Sequence, residues 1–257
     1  MNKMKTSFSR ARFFPSFLFI ILLAPVPTLG QRLHPRLKEA KPGDAKPVIS
    51  RVVILPAHVS LTKDGMKGSE PLDKDAAAAT PIIEKALAKA LNNKNLTVLD
   101  SQFNPEALQN DEKLKYAVAD LWRSYDELHV KIIKKQKDVE KGRFSLGDQV
   151  LLLNQDDSID AFVFVDVAGE RKTGGKKALG IVTITPWAIL SSYTVTIGIV
   201  DARSGDVLAY TLTSTGSDIG KADDRKLVEV ITNSLKKFPA GTPAEKKPSA
   251  RAPAEKT

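Results

Sequence analysis

The chain has no cysteine, only three histidines in 257 residues, and an aromatic content of 6%. Without cysteine there are no disulfides, thiol nucleophiles, cysteine-ligated zinc sites or iron–sulfur clusters. The acylated cysteine of a bacterial lipoprotein is excluded too: Gln31 stands where that residue would follow a signal. His34, His58 and His129 are far apart and show no metal-ligand spacing. No G-x-S-x-G, H-E-x-x-H or calcium-loop pattern occurs, and we expect no cofactor, no metal and no catalytic site. A hydrophobic content of 42% is too high for a fully disordered chain and too low for a polytopic membrane protein.

Long apolar runs are scarce as well. The clearest, residues 13–24, is shorter than the ~20 residues that a membrane-spanning helix needs. It follows Lys3, Lys5, Arg10 and Arg12 with no acid, and precedes Pro25, Pro27 and the small-residue triplet ending at Gly30. This order is that of a secretory signal peptide over residues 1–30 with cleavage near Gly30; an uncleaved anchor is the alternative. The net charge of +9 owes much to this segment and to a basic tail. The excess left on residues 31–238 is small and unclustered, so the composition does not point to nucleic acid.

Residues 31–50 hold three prolines and no apolar period, which reads as a flexible leader. A β-branched run over residues 51–59 predicts a buried strand. Residues 62–74, with Gly65, Gly68 and Pro71, read as a loop. Ile83, Leu87, Ala90 and Leu91 define a helix over 76–91, in which either Thr80 caps and Pro81 opens the helical turns, the reading we favour, or a preceding turn kinks at Pro81. A short strand follows at 96–100.

Residues 111–141 are the most regular stretch. Leu114, Val118, Leu121, Tyr125, Leu128 and Ile132 are spaced 4, 3, 4, 3, 4, an a/d seam of coiled-coil type. A helix of this length would span ~46 Å, so it either breaks or projects beyond its sheet. The seam either packs on the chain's own sheet or faces a partner or second copy. Its lysine-rich end (Lys131, Lys134, Lys135, Lys137, Lys141) is expected in solvent.

The second half is β-rich. Strands are expected at 160–168, within 178–200 and at 207–215, with a tight turn at 201–206. Residues 178–200 carry no charge, but threonine, serine and Pro186 make them strands rather than a membrane helix. A closing helix runs over 223–238, with Leu227, Val230, Ile231, Leu235 and Phe238 inward. The Pro/Ala/Lys-rich tail, 239–257, is expected to be disordered. The glycine-rich segment 169–177 lacks the Ser or Thr of a phosphate loop and joins strands, so it reads as a hairpin turn. Asp156, Asp157, Asp160 and Asp166 are the acids available for acid–base work, and their settings read as turn and strand positions. The apolar connection Pro186, Trp187 and Ile189 is either folded under its neighbours or an exposed contact patch, with Trp187 as its anchor.

The opening strand Val52–Pro56, the Asp160–Val163 strand entry after Leu146 and Gly147, and the hairpin segment Tyr193–Leu208 resemble small α/β modules of the bacterial envelope. These are the periplasmic domain of the curli secretion channel and the N-terminal domain of the Tol-system propeller protein. The resemblance implies a scaffold or assembly factor rather than an enzyme. It also allows residues 192–200 to act as a membrane-crossing strand in a ring of subunits.

Together these readings describe an α/β (α+β) chain with a mixed sheet of about five to six strands, order β-α-β-α-β-β-β-α, plus one long helix, in a single domain over 51–238. The expected function is an exported, non-catalytic envelope module acting by protein contact or self-association. Peripheral membrane contact is left open. The alternatives are a subunit of an oligomeric secretion pore and a hydrolase-type enzyme with an unrecognised site. Candidate contact residues are Trp187, Pro186, Ile189, Leu114, Val118, Leu121, Tyr125, Leu128 and Ile132.

Overall fold

The computed structural model describes residues 30–38, 49–65, 68–99, 103, 105–154, 158–172, 192–215 and 224–241. Their strands are β1 (Arg32–Leu33), β2 (Arg51–Ile54), β3 (His58–Gly65), β4 (Gly68–Pro71), β5 (Thr97–Val98), β6 (Ala161–Lys172), β7 (Ser192–Asp201) and β8 (Val207–Thr215). Their helices are α1 (Pro35–Lys38), α2 (Asp73–Asn92), α3 (Pro105–Asn110), α4 (Glu112–Lys134) and α5 (Asp224–Ser234). The strands form one mixed sheet in the order β1-β8-β7-β6-β2-β5, with β3 pairing both β6 and β4. The α/β class is as expected, with eight strands among the described residues rather than five to six.

β6 is the spine of this sheet, and its period-two alternation divides the core. Val163, Val165 and Val167 face α2 and α5, whereas Phe162 and Phe164 face α4. On the first face α2 buries Ile83, Ala86, Leu87, Ala90 and Leu91, joined by Ile231, Leu235 and Phe238 near the chain's end. Each fully buried Leu or Ile contributes roughly 1.5–3 kcal/mol, so this face alone supplies much of the driving force. The second face is closed by α4. Asp111 caps that helix by accepting a 3.0 Å hydrogen bond from the Leu114 N–H.

Residues 51–59 form two strands rather than one. β2 pairs in parallel with β6 up to Ile54↔Val163, and β3 resumes at His58↔Asp166. Four residues on one strand therefore match three on the other, which is a β-bulge. Pro56 brings no N–H to this irregular stretch, and the Ala57 N–H donates to Glu84 Oε1 of α2 at 2.9 Å. The extra residue inverts the phase of the side chains. Val53 and Leu55 face α4 before it; Ala57, Val59 and Leu61 face α2 after it, and His58 turns to α4.

Other expectations are corrected by tertiary contacts. Residues 31–38, read as part of a flexible leader, form β1 and α1. β1 pairs antiparallel with β8, and the His34 N–H donates to Leu208 O at 2.8 Å. Residues 62–71, read as a loop, are the β3–β4 hairpin, because β3 extends along β6 as far as Asp64↔Lys172. α2 starts at Asp73, so Pro81 lies inside the helix and Thr80 is no cap; its Oγ1 donates to Ala76 O at 2.9 Å. The long helix breaks at Lys135 (φ −137°, ψ 45°), and a 3-10 segment, Gln136–Lys141, buries Val139. Residues 192–200 belong to β7, paired on both sides by β6 and β8.

The β7–β8 turn is built as its sequence implies. Asp201 Oδ1 accepts from the N–H groups of Arg203 and Ser204, both at 2.8 Å. Gly205 has φ +73°, and a Cβ there would meet the Gly147 carbonyl oxygen at 2.4 Å. The expected strand at 178–185, the segments 1–29 and 242–257, and Asp156 and Asp157 lie outside the described residues.

Candidate functional site

α4 packs on the Phe162 and Phe164 face of the sheet, and its inner face is aromatic. Tyr125 stacks on Phe164 with centroids 4.1 Å apart, and Trp122 meets Phe164 edge-on at 5.0 Å. Trp122 is covered from β3 by His58, whose ring lies parallel to it at 3.6 Å. Further along α4, His129 meets Tyr125 at 6.2 Å and Tyr210 of β8 at 5.8 Å.

One acid faces this aromatic layer. β6 places Asp166 two residues after Phe164 on the α4 side, next to His58 of β3 and Thr196 of β7 in register. Asp166 interacts electrostatically with His129, His58 and Asp126. Burial raises its carboxyl above the usual carboxylate range; the two imidazoles oppose that rise and Asp126 adds to it. Burial also lowers His129 below the ordinary imidazole value, against the pull of Asp166 and Asp126. The phenols of Tyr125 and Tyr210 are raised, again chiefly by burial.

Beyond α4 the same face of the sheet is open and polar. An open groove of about 260 Å³ is lined by Ser60, Thr62, Ala168, Gly169, Glu170 and Thr194. Ser60 and Ala168 pair one step beyond His58 and Asp166, so cluster and groove are contiguous. The arrangement holds the groups for proton exchange: a carboxyl of raised proton affinity beside imidazoles, next to hydroxyl-bearing side chains. Among the described residues no three His, Cys, Asp or Glu side chains converge as metal ligands.

The seam residues have another place. Val118, Leu121, Tyr125, Leu128 and Ile132 are buried against the chain's own sheet, and Leu114 is half-buried at the helix entrance. They are core rather than a free partner face, because the sheet's Phe162 and Phe164 fill the stripe that a partner would occupy. Pro186, Trp187 and Ile189 lie outside the described residues. Asp160 is structural. It accepts from Ser50 N–H (3.0 Å), Ser50 Oγ (3.0 Å) and Arg51 N–H (2.8 Å), and from the guanidinium groups of Arg51 (3.4 Å) and Arg203 (3.2 Å). Burial opposes its ionisation, but these hydrogen bonds prevail and hold the carboxyl below its usual value.

The sequence reading missed that Asp166 of β6 interacts electrostatically with both His58 of β3 and His129 of α4. The one local sign was an acid between Val165 and Val167 in the apolar first half of β6.

No family model and no curated protein matches the chain. Among solved structures it is similar to the PelC dodecamer from Paraburkholderia phytofirmans, at 10% identity, covering 74% of this chain and 89% of that one, with a TM-score of 0.35. It is also similar to lipoprotein GNA1162 from Neisseria meningitidis, at 12% identity, covering 73% and 96%, again with a TM-score of 0.35. No helix among the described residues is long and apolar enough to cross a membrane.

Proposed function

We propose that the chain is an exported, non-catalytic cell-envelope module that works through protein contacts, self-association first among them. The observation that supports this reading is an open sheet edge. β1 pairs only with Ala209 and Tyr210, so residues 211–214 of β8 have no strand partner on that side among the described residues. Arg32↔Tyr210 and the His34 N–H bond to Leu208 O fix the alternation, which directs the backbone groups of Leu212 and Ser214 to the open edge. Such an edge is a template for strand addition by another chain.

Ser214→Pro removes one outward N–H and leaves the ladder to β7 intact. Sedimentation velocity over a wide concentration range should show a defined oligomer for the parent chain and a monomer for this variant. A parent chain that stays monomeric overturns the reading.

A second reading, an acid–base enzyme, is favoured by Asp166 between two imidazoles beside the groove. It predicts turnover of a small molecule that Asp166→Asn abolishes while the fold is kept.

A further inference from the structure

The C-terminal end of α4 and the 3-10 segment after it concentrate positive charge. Residues 130–143 hold Lys131, Lys134, Lys135, Lys137, Lys141 and Arg143 against Asp138 and Glu140. Both acids are already engaged. Asp138 pairs with Lys141 (3.1 Å) and Arg143 (3.6 Å), and Glu140 with Arg32 (3.0 Å) and Lys38 (3.3 Å). Lys131, Lys134, Lys135 and Lys137 are exposed and form no ion pair among the described residues. On α4, Ile133, Val130, Lys134 and Lys131 fall on one continuous arc of the outer face, and the two aliphatic residues are 45% and 52% exposed. Asp126 and Glu127 end this arc one turn earlier.

The chain's own connectivity sets where this patch lies. Arg32 and Lys38 bring the N-terminal strap directly onto the 3-10 segment through Glu140, and the Lys237 N–H fixes the strap's start by donating to Gln31 Oε1 at 2.5 Å. Seven residues, 25–31, separate β1 from the apolar run at 13–24, a reach of at most about 25 Å. When that run sits in a bilayer, during export or as an anchor, β1 and the 3-10 segment tied to its strap through Glu140 are kept near the bilayer.

We propose that the exposed arc of α4 with Lys134, Lys135 and Lys137 is a docking surface for an anionic lipid bilayer. The lysines meet lipid phosphates, and Val130 and Ile133 enter the headgroup boundary. Positive charge with exposed aliphatic side chains on one helix arc is the pattern of interfacial contact. Each lysine near an anionic surface strengthens partition by roughly fivefold.

The test is co-sedimentation of the full chain with vesicles of phosphatidylcholine alone and of phosphatidylcholine with phosphatidylglycerol. The readout is the ratio of the two partition constants relative to the parent, because the apolar run and the basic residues Lys3, Lys5, Arg10 and Arg12 before it are the same in every variant. The parent chain is expected to favour the anionic vesicles at least tenfold. The variant Lys131→Glu, Lys134→Glu, Lys135→Glu, Lys137→Glu should lower the parent's ratio at least tenfold without weakening binding to the neutral vesicles. The same four positions changed to Gln give an intermediate ratio, which keeps the test valid if the charge-reversed chain does not fold. As a control, Lys63→Glu, Lys74→Glu, Lys85→Glu, Lys89→Glu places the same charge change on the β3–β4 hairpin and α2, and should stay within threefold of the parent. A parent ratio near one, an equal loss in the control, or a ratio retained after the four substitutions overturns the proposal. Capture by polyglutamate or DNA without preference for the anionic vesicles also overturns it, by assigning the patch to a soluble polyanion.

Discussion

His58 lies flat on Trp122, ring centroids 3.6 Å apart and planes 18° apart, and it does so because the first long strand carries one residue more than its partner. Without that residue His58 would point to α2 and the aromatic face of α4 would lose its cover. The bulge is held open by Glu84, whose carboxylate receives the Ala57 N–H. Glu84→Ala should therefore cost about 1–2 kcal/mol in chemical denaturation, by stranding a backbone donor. Glu84→Gln keeps an acceptor and should recover most of that loss. Equal costs for the two variants would show that the carboxylate does not support the bulge.

Gly198 of β7 exists to admit Tyr125. A Cβ at position 198 would come within 2.1 Å of the Tyr125 hydroxyl oxygen. Gly198→Ala should destabilise by roughly 1–3 kcal/mol through overpacking. Tyr125→Phe by itself should be close to neutral, since that buried hydroxyl has no hydrogen-bond partner among the described residues. Because Cζ and Cε2 of the ring would still lie 2.6 and 2.7 Å from that Cβ, the double variant should regain only part of the lost stability, and a double-mutant cycle measures it. Additive costs would place the strain elsewhere.

Asp160 ties the start of β2 to the β7–β8 turn. Asp160→Ala leaves the donors of Ser50, Arg51 and Arg203 without their acceptor and should cost about 3 kcal/mol or more. Because its folded carboxyl is lowered, Asp160 contributes stability above the usual carboxylate range, and this is lost as pH falls through the lower folded value. Urea midpoints measured from neutral to acid pH should converge for the parent and Asp160→Asn chains. A gap independent of pH would refute the assignment.

The groups at the α4 margin shift in the opposite sense. The folded carboxyl of Asp166 is raised, so its contribution is most favourable at acid pH and is lost as pH rises through the folded value. Asp166→Asn should thus stabilise the chain at neutral pH and lose that advantage in acid. His129, lowered by burial, contributes stability above the ordinary imidazole value, lost as pH falls through its folded one. Its NMR titration midpoint should lie below that of a free histidine and drop further in Asp166→Asn, because the Asp166 charge pulls it up. An unchanged midpoint would mean the two groups do not interact.

Some of this architecture was legible from local patterns. The 4-3-4-3-4 spacing of Leu114 to Ile132 marked α4 and its apolar stripe, the run of residues 160–168 marked β6, and Asp201 and Gly205 marked the turn. Each depends on residues that lie close together in the chain. The strap was not legible, because residues 31–38 have no period of their own and are ordered by β8 and Glu140. Nor was the start of α2: the N-terminal half of that helix is held against β3 in a context where Pro81 would otherwise mark a beginning.

The order of residues alone determined an α/β chain with an apolar β6 and an amphipathic α4, because side-chain periodicity selects which face of an element leaves water. Only the tertiary structure decided which way His58 turns, that the α4 seam is interior, and that two histidines and an aspartate from three elements share one margin. Those outcomes depend on one extra residue in a strand and on the register between strands, and neither is encoded in the spacing of any single segment.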